Sequence, residues 1–516
     1  MGDGPWFRRA ASAQLAVLPG IRWGSTRSND PVPKLMNAIP ATPGATPPKK
    51  APWGDLVRDG RGLYSLLVIL GVMMHALQIL VINIIMPTVI ADLGGADYYT
   101  WPAMLYTVGA IVGAASVGPV LATLGHRRGY AVSGLIFIAG TVGSAIAPDM
   151  AMLIASRAVQ GFAGGLVTGG GMALVSNFFH DALRRRILAA HQGTWMIAQL
   201  CGPLVGGAFA EIGWWRGSFW TMVPIAMIFV VLCWTKVPDE ALKEAGVSRS
   251  TTFPILRVLM LASGVFAVAL AGPVHHPALR TLLIVSALAL MWGTFWLDRH
   301  APNRLYPSGA LSLRSPVGLA LMVLFMGGMA QTSVNLFLPL LLQVVHGVTP
   351  LFISFVSIVI SLGWTIGTFA VSGWSGRRER IALMAGPVLM AIGLAGMAVT
   401  AQLPMLLVLT GAAFTLGVGV GIHNVHLIAR TMALAAPGEE HVTSAAMPSI
   451  RSLGTAFGAA LAGGLSTMAG LGDATNAEAV GRAVTLVYGV HVVPLVLAAV
   501  FMVFLLRLDR RPGSPR

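Results

Sequence analysis

From Leu63 onward the chain is a succession of fourteen apolar stretches, at residues 63–90, 100–123, 129–147, 152–176, 187–210, 217–235, 254–272, 279–297, 316–340, 350–373, 381–400, 405–429, 442–468 and 483–506. Each is close to the roughly 20 residues that an α-helix needs to cross about 30 Å of hydrocarbon. In that medium a backbone N–H or C=O has no water to turn to, so an all-α integral membrane protein is the expected fold class. Composition agrees, because 55% hydrophobic and 10% charged residues in a chain of 516 do not describe a soluble protein.

The distribution of Lys and Arg gives a second reading of the same count. Alternate connections carry sixteen of these residues, from Arg127 to Arg430, against only Arg216, Arg280 and Arg482 in the other set. The rich side is the cytoplasmic one by the positive-inside rule, and basic termini on that side require an even number of crossings. The formal charge of +15 is therefore a topology signal. The arginines fall in short groups between apolar stretches, without the basic, aromatic-interleaved patch of a nucleic-acid binder. Cys201 and Cys233 lie within spans and predict no disulfide framework. Residues 1–62, rich in Pro, Gly and basic residues, read as a disordered cytoplasmic tail, with Met36 an alternative start. Trp101, Trp214, Trp215, Trp296 and Trp374 sit near span ends, where interfacial anchors belong.

Against this apolar background the polar residues stand out. Arg157 in the fourth span is the sharpest anomaly, since a charge at the centre of a lipid-immersed helix costs roughly 2.5–3.5 kcal/mol on insertion scales. Gln160 shares its face, and Gly161, Gly165 and Gly169 make an edge against which another helix can settle closely. Arg157 either faces a polar cavity or pins a neighbouring backbone. His75, Gln78 and Asn83 put three polar groups in the first span, Gln199 adds one in the fifth, Gln331 and Asn335 a patch in the ninth, and Arg451 a second cation in the thirteenth. Arg451 can also be read as snorkelling to the cytoplasmic edge. No carboxylate lies near mid-span; Glu211 sits at the outer end of the fifth. Two arginines without a balancing acid favour neutral or anionic cargo over large cations. Histidine is the available titrating group near neutral pH, with His75 the leading proton carrier and His423, beside Asn424 and His426, and His491 next; each is alternatively a hydrogen-bonded packing residue.

The motifs carry a family resemblance over almost all of residues 63–506. The stretch around Arg157 and Gln160, the run Gly202-Pro203-Leu204-Val205-Gly206-Gly207, the segment Trp215-Arg216 with Phe219 and Pro224, and Leu338-Pro339 through Gln343 to Gly347 and Pro350 together resemble the major facilitator superfamily, in its fourteen-helix drug:proton antiporter branch. The resemblance implies two six-helix bundles (63–235 and 316–506) joined by residues 236–315, which hold two inserted helices, followed by a basic cytoplasmic tail at 507–516. It implies a cavity lined by Arg157 and a role for that arginine in proton coupling. Pro203, flanked by glycines, makes the fifth helix a bending or closely packed element. Arg451 with Gly454 and Gly458 resembles the branch's thirteenth-helix pattern. Two departures matter. Gln78 and Leu80 stand where the first-helix pattern has an acid and a threonine, and the gate motif between the second and third helices is reduced to Gly118, Gly125, His126, Arg127 and Arg128.

The reading is a secondary active transporter, not an enzyme. It moves a small neutral or anionic amphipathic solute across a bacterial inner membrane by alternating access, as proton-coupled efflux, with both termini cytoplasmic. It needs no cofactor and no metal. Its partners are the solute, protons as candidate coupling ion and membrane lipid, with no nucleic acid, and the chain acts as a monomer. Uptake of a small metabolite or an aromatic vitamin such as a flavin is the alternative, and a non-transporting membrane sensor the alternative of another class. No glycine-rich phosphate loop ending in Lys-Ser or Lys-Thr occurs, and neither His-Glu-x-x-His nor Gly-x-Ser-x-Gly is present.

Overall fold

The computed structural model describes residues 53–56, 61–179, 181–237, 254–271, 274, 276–301, 304–437, 439–471 and 476–508. The tail expected over residues 1–62 therefore lies, but for a short turn at Trp53–Leu56 and the first residues of α1, outside the described residues, as does most of the tail at 507–516. Among the described residues there is no strand. The helices are α1 (Arg61–Leu93), α2 (Trp101–Ala145), α3 (Met150–Phe178), α4 (Asp181–Glu211), α5 (Arg216–Trp220), α6 (Met222–Lys236), α7 (Ile255–Ala271), α8 (Pro277–Arg299), α9 (Pro316–Leu340), α10 (Pro350–Val371), α11 (Arg377–Thr400), α12 (Leu406–Ala433), α13 (Glu440–Met468) and α14 (Ala477–Leu508). Ten of the described helical segments are long and apolar enough to cross a membrane.

Local chemistry explains where the helices break. α2 contains Gly125 at φ 75° and ψ 171°, a left-handed backbone that only glycine adopts readily, so two arms meet there. α5 runs into α6 through Thr221, which keeps right-handed helical dihedrals. α9 carries Pro339, which has no N–H to donate, and passes into a π turn at Leu341–Val345.

Three apolar clusters organise the packing. One is built from α1 to α4 and α6, including Leu67, Met74, Phe137, Leu166 and Phe229. Another joins α7, α9 and α11 to α14, through Leu261, Leu321, Leu383, Leu427, Leu453 and Met502. The third bridges the two groups at one end of the bundle, where Ile85, Tyr99 and Trp215 meet Phe337, Leu340, Ile353 and Val484. α7 lies against both α2 and α13, and α8 lies outside it with Leu282, Leu288 and Trp292 exposed. The hairpin is fixed by a buried Arg257–Asp298 ion pair, and the same carboxylate accepts from the backbone N–H groups of Leu305 and Tyr306, each at 2.9 Å.

One tryptophan departs from the interfacial reading. Trp215 is 1% exposed and its indole N–H donates to Asp92 at 3.1 Å, while the Arg216 guanidinium stacks on its ring at 4.2 Å. The indole is an internal fastening between α1 and the α4–α5 connection, whereas neighbouring Trp214 is exposed.

The tightest helix contact is α2 on α3. A Cβ at Gly165 would strike the carbonyl of Ala110 and come within 2.7 Å of Ala114 N, while one at Gly161 would strike the carbonyl of Tyr106. Gly165→Val is expected to destabilise the fold by at least about 1–3 kcal/mol, the usual cost of overpacking. Gly411→Ala, where a Cβ meets nothing within 4 Å, should leave stability unchanged or slightly raised. Apparent Tm of the two purified variants in one detergent checks the pair.

Candidate functional site

The first polar centre sits inside the first helix group. Arg157 of α3 is fully buried, and four of its five N–H directions are answered. Nη1 donates to Gln78 Oε1 at 3.1 Å and to Gln160 Oε1, Nη2 to the Gln78 carbonyl at 3.1 Å, and Nε to the Pro102 carbonyl at 3.4 Å. The Tyr106 ring covers the guanidinium face at 4.2 Å. Gln160 passes the chain on, donating to Thr141 Oγ1 at 2.8 Å. His75 Nδ1 lies 2.9 Å from the Tyr106 hydroxyl, with Trp195 edge-on to its ring. One connected network therefore joins His75, Gln78, Arg157 and Gln160 across α1, α2 and α3. Among the described residues the cation is compensated by neutral dipoles and by the rings of Tyr106 and, at 5.9 Å, Phe219.

The second polar centre lies between the groups. A cavity of about 70 Å³ is bounded by Leu80, Asn83 and Ile84 of α1, Gln199 of α4, Gln331, Val334, Asn335, Leu338 and Pro339 of α9, and Ser357, Ile360, Ser361 and Trp364 of α10. Four amides and two hydroxyls thus face one apolar-walled space, with no carboxylate and no cation among its described lining residues. Asn83 Oδ1 is buried without a partner. Just behind the wall, Arg451 of α13 donates through Nη2 to Gln331 Oε1 at 2.8 Å and stands over the Trp364 ring at 5.2 Å. Arg451 is half-buried and bonded within the helix group.

The cavity is roofed by bonds that cross from one group to the other. The Tyr99 hydroxyl donates to the Leu336 carbonyl at 2.7 Å, just before the turn where Pro339 and the π segment disturb the ladder of α9. Ser354 Oγ donates to the Pro203 carbonyl at 2.6 Å, and Glu211 Oε2 accepts from Leu351 N at 3.0 Å, at the start of α10. The glycines of the fifth-span motif divide their work. Gly202 and Gly206 lie against Leu80 and Ile84 of α1, whereas Gly207 lies against Pro350 and Ser354 of α10. The bonds that cross between the groups lie toward the end holding Leu93 and Glu211.

The sequence-derived candidates are thus sorted. Asn83, Gln199, Gln331 and Asn335 line the cavity; Arg157, Gln160 and Gln78 do not line it, being enclosed in the network behind α1. His423 Nδ1 bonds the Gly419 carbonyl of its own helix at 2.7 Å, His426 Nε2 the Val371 carbonyl at 3.0 Å, and His491 the Val487 and Gly458 carbonyls. Asn424 is half-buried, with no side-chain hydrogen bond among the described residues. In the gate region, Gly125 supplies the break in α2, Arg127 stands over the Trp234 ring at 5.4 Å, Arg128 is exposed, and the surroundings of Gly118 lie outside what is described. Sequence reasoning missed Tyr106, Trp364, Tyr99 and Ser354. Aromatic and hydroxyl residues in apolar spans read as bulk, and only the fold shows which of them touch a cation or a carbonyl.

Comparison with known proteins adds to this geometry. A family model described as the Major Facilitator Superfamily matches residues 68–459. A Mycobacterium tuberculosis protein named "Probable multidrug-efflux transporter" is 29% identical over 456 residues, covering 86% of this chain and 95% of that one. "Multidrug resistance protein Stp" from the same organism is 25% identical over 404 residues, covering 76% and 74%. Among solved structures, a D-xylose-proton symporter matches with TM-score 0.59 at 15% identity, covering 86% of this chain and 97% of that one. A bacterial homolog of the human lysosomal transporter Spinster, inward-facing and unoccupied, matches with TM-score 0.59 at 15% identity over 89% and 100%. At such identities the structural likeness is one of fold.

Gln78 is the residue on which the first network turns, because it offers Arg157 both its side-chain and its backbone oxygen while its own Nε2 is buried without a partner. Gln78→Leu is expected to cost about 1–3 kcal/mol by stranding a buried charged donor. Gln78→Glu, which turns the orphan donor into a second acceptor, should hold or raise stability. Thermal unfolding of both variants checks the sign difference.

Proposed function

Since the chain belongs to the Major Facilitator Superfamily and is an integral-membrane secondary transporter, not an enzyme, we propose that it exports a small neutral or anionic amphipathic solute across the bacterial inner membrane by alternating access. In this reading all fourteen apolar stretches cross the bilayer. Residues 63–235 and 316–506 form two six-helix halves that rock about the cavity, and residues 236–315 carry the inserted hairpin α7–α8. The bias of Lys and Arg supports cytoplasmic termini. The Leu93 and Glu211 end then faces outward, and the conformation described is sealed on that side.

The observation that carries the proposal is the amide-lined cavity lying directly beneath bonds that join the two helix groups. Each of those bonds is a single side-chain bond to a carbonyl or N–H near a proline or a helix start, so it can be lost without melting a helix. The names of the mycobacterial relatives support the outward direction. Protons are the proposed coupling ion. One charge moving down the membrane field yields about 2.3 kcal/mol per 100 mV, enough to concentrate a solute some tens of times. With Gln78 in place of an acid, His75 is the titrating group nearest Arg157 in the network, through Tyr106. The missing first-helix carboxylate also favours a second reading, uptake of a small metabolite or an aromatic vitamin such as a flavin.

Transport by purified chain in proteoliposomes under an imposed pH gradient, with the solute on one side or the other, tests direction and coupling together. Movement against the proton gradient that collapses with an uncoupler is expected; solute flux in the direction of proton flow selects uptake. Opening should respond to the roof. Tyr99→Phe and Ser354→Ala each remove a bond worth about 0.5–1.5 kcal/mol, so each should raise the outward-open population roughly two- to tenfold. Spin-label distances between Ile212→Cys and Leu403→Cys, in a Cys201→Ser background, read that shift as a longer separation.

A further inference from the structure

The two intramembrane arginines are in opposite states. Arg157 has acceptors on four of its five N–H directions and a ring over its face, so it has little left to offer a ligand. Arg451 has one described hydrogen bond, to Gln331, and none of the described Asp or Glu residues pairs with it. Its helix face meets Trp364, and His423 of α12 is close enough to interact with it electrostatically. Both Gln331 and Trp364 are also wall residues of the cavity, so the guanidinium is separated from the cavity by the very amide that satisfies it. A half-buried charge held by a single neutral amide is under-compensated, because a carboxylate would add an opposite charge and a second, parallel acceptor that one amide oxygen lacks.

We propose that Arg451 is the anchor for the acidic group of the cargo, and that the cargo class is a small aromatic monoanion carrying one carboxylate and a separate hydrogen-bond donor. This rests on the cavity being the transport site, as proposed above. The carboxylate displaces the Gln331 oxygen from Arg451 and takes the guanidinium in its bidentate geometry. The aromatic body lies along Trp364 and the apolar residues Leu80, Ile84 and Val334. The donor answers Asn83 Oδ1, the buried acceptor without a partner on the cavity wall. Arg157 takes no direct part in recognition.

The test is a charge series measured as equilibrium binding to the full-length chain in neutral-lipid nanodiscs. The probes are 6-hydroxy-2-naphthoate, its carboxamide and the corresponding aminomethyl compound, which differ only in charge at one end. The acid is expected to bind at least tenfold more tightly than the amide, and the amine more weakly still. Arg451→Gln should bring acid and amide level. Gln331→Glu, which leaves Arg451 in place but supplies the missing carboxylate from the protein, should do the same, and Arg451→Lys should keep part of the preference. Arg157→Gln should lower stability yet keep the acid preference. An amine bound as tightly as the acid, an acid preference that survives both Arg451→Gln and Gln331→Glu, or no binding of any probe to folded protein would overturn the assignment. Acid-selective binding that needs Arg451, in a chain that moves the probe inward or not at all, would uphold the anchor and defeat the export reading.

Discussion

A guanidinium in hydrocarbon must be answered by something, and the manner in which Arg157 is answered fixes much of the first helix group. Its donors reach α1 through both oxygens of Gln78 and α2 through the Pro102 carbonyl, while Tyr106 of α2 closes its face. Those bonds form only if the helices approach closely, and the glycines at 161 and 165 permit it. Charge compensation and helix spacing are in this sense one requirement. With neutral partners in place of an acid, the network depends on the number and aim of its dipoles, so losing any one of them matters more than it would beside a carboxylate.

The fold class was legible because hydrocarbon leaves a chain few options. Length and hydropathy located the helices. The break between the two arms of α2 falls at Gly125, where the basic run already marked a connection. The sites were legible only in part. Polar residues in apolar spans flagged both arginines and all four cavity amides, but a helical period cannot say which polar face meets a neighbour and which meets a cavity. Arg157 and Arg451 look alike in sequence and differ in the structure by how many acceptors surround them. Trp215 misled for a similar reason, since an indole at a span end is read as lipid-facing until its N–H is seen to bond Asp92.

The roof of the cavity shows how a seal between packed helices can be strong yet releasable. Apolar contacts there are supplemented by single side-chain bonds: Tyr99 to the Leu336 carbonyl, Ser354 to the Pro203 carbonyl, and Glu211 to the first turn of α10. Breaking such a bond frees a group that water in an opened vestibule can satisfy, so the penalty is the modest net value of a hydrogen bond and not the cost of an orphan in lipid. The glycines around Pro203 and the proline of α9 are then parts of one boundary.

The inserted hairpin bears on how such a boundary can move. α8 is tied to α7 by the Arg257–Asp298 pair, and the following segment is tied to α13 through Tyr306 and Ser449 at 3.0 Å, so polar bonds fasten the hairpin to the second group. Toward α2 it offers apolar surface instead, with Phe266 edge-on to Trp101 at 6.2 Å and Val108 and Ile111 against the cluster that holds Leu261 and Val265. In the rocking motion proposed above, that flank would act as a greased bearing, bolted to one partner and gliding on the other, which leaves the α4–α10 flank as the side that would part.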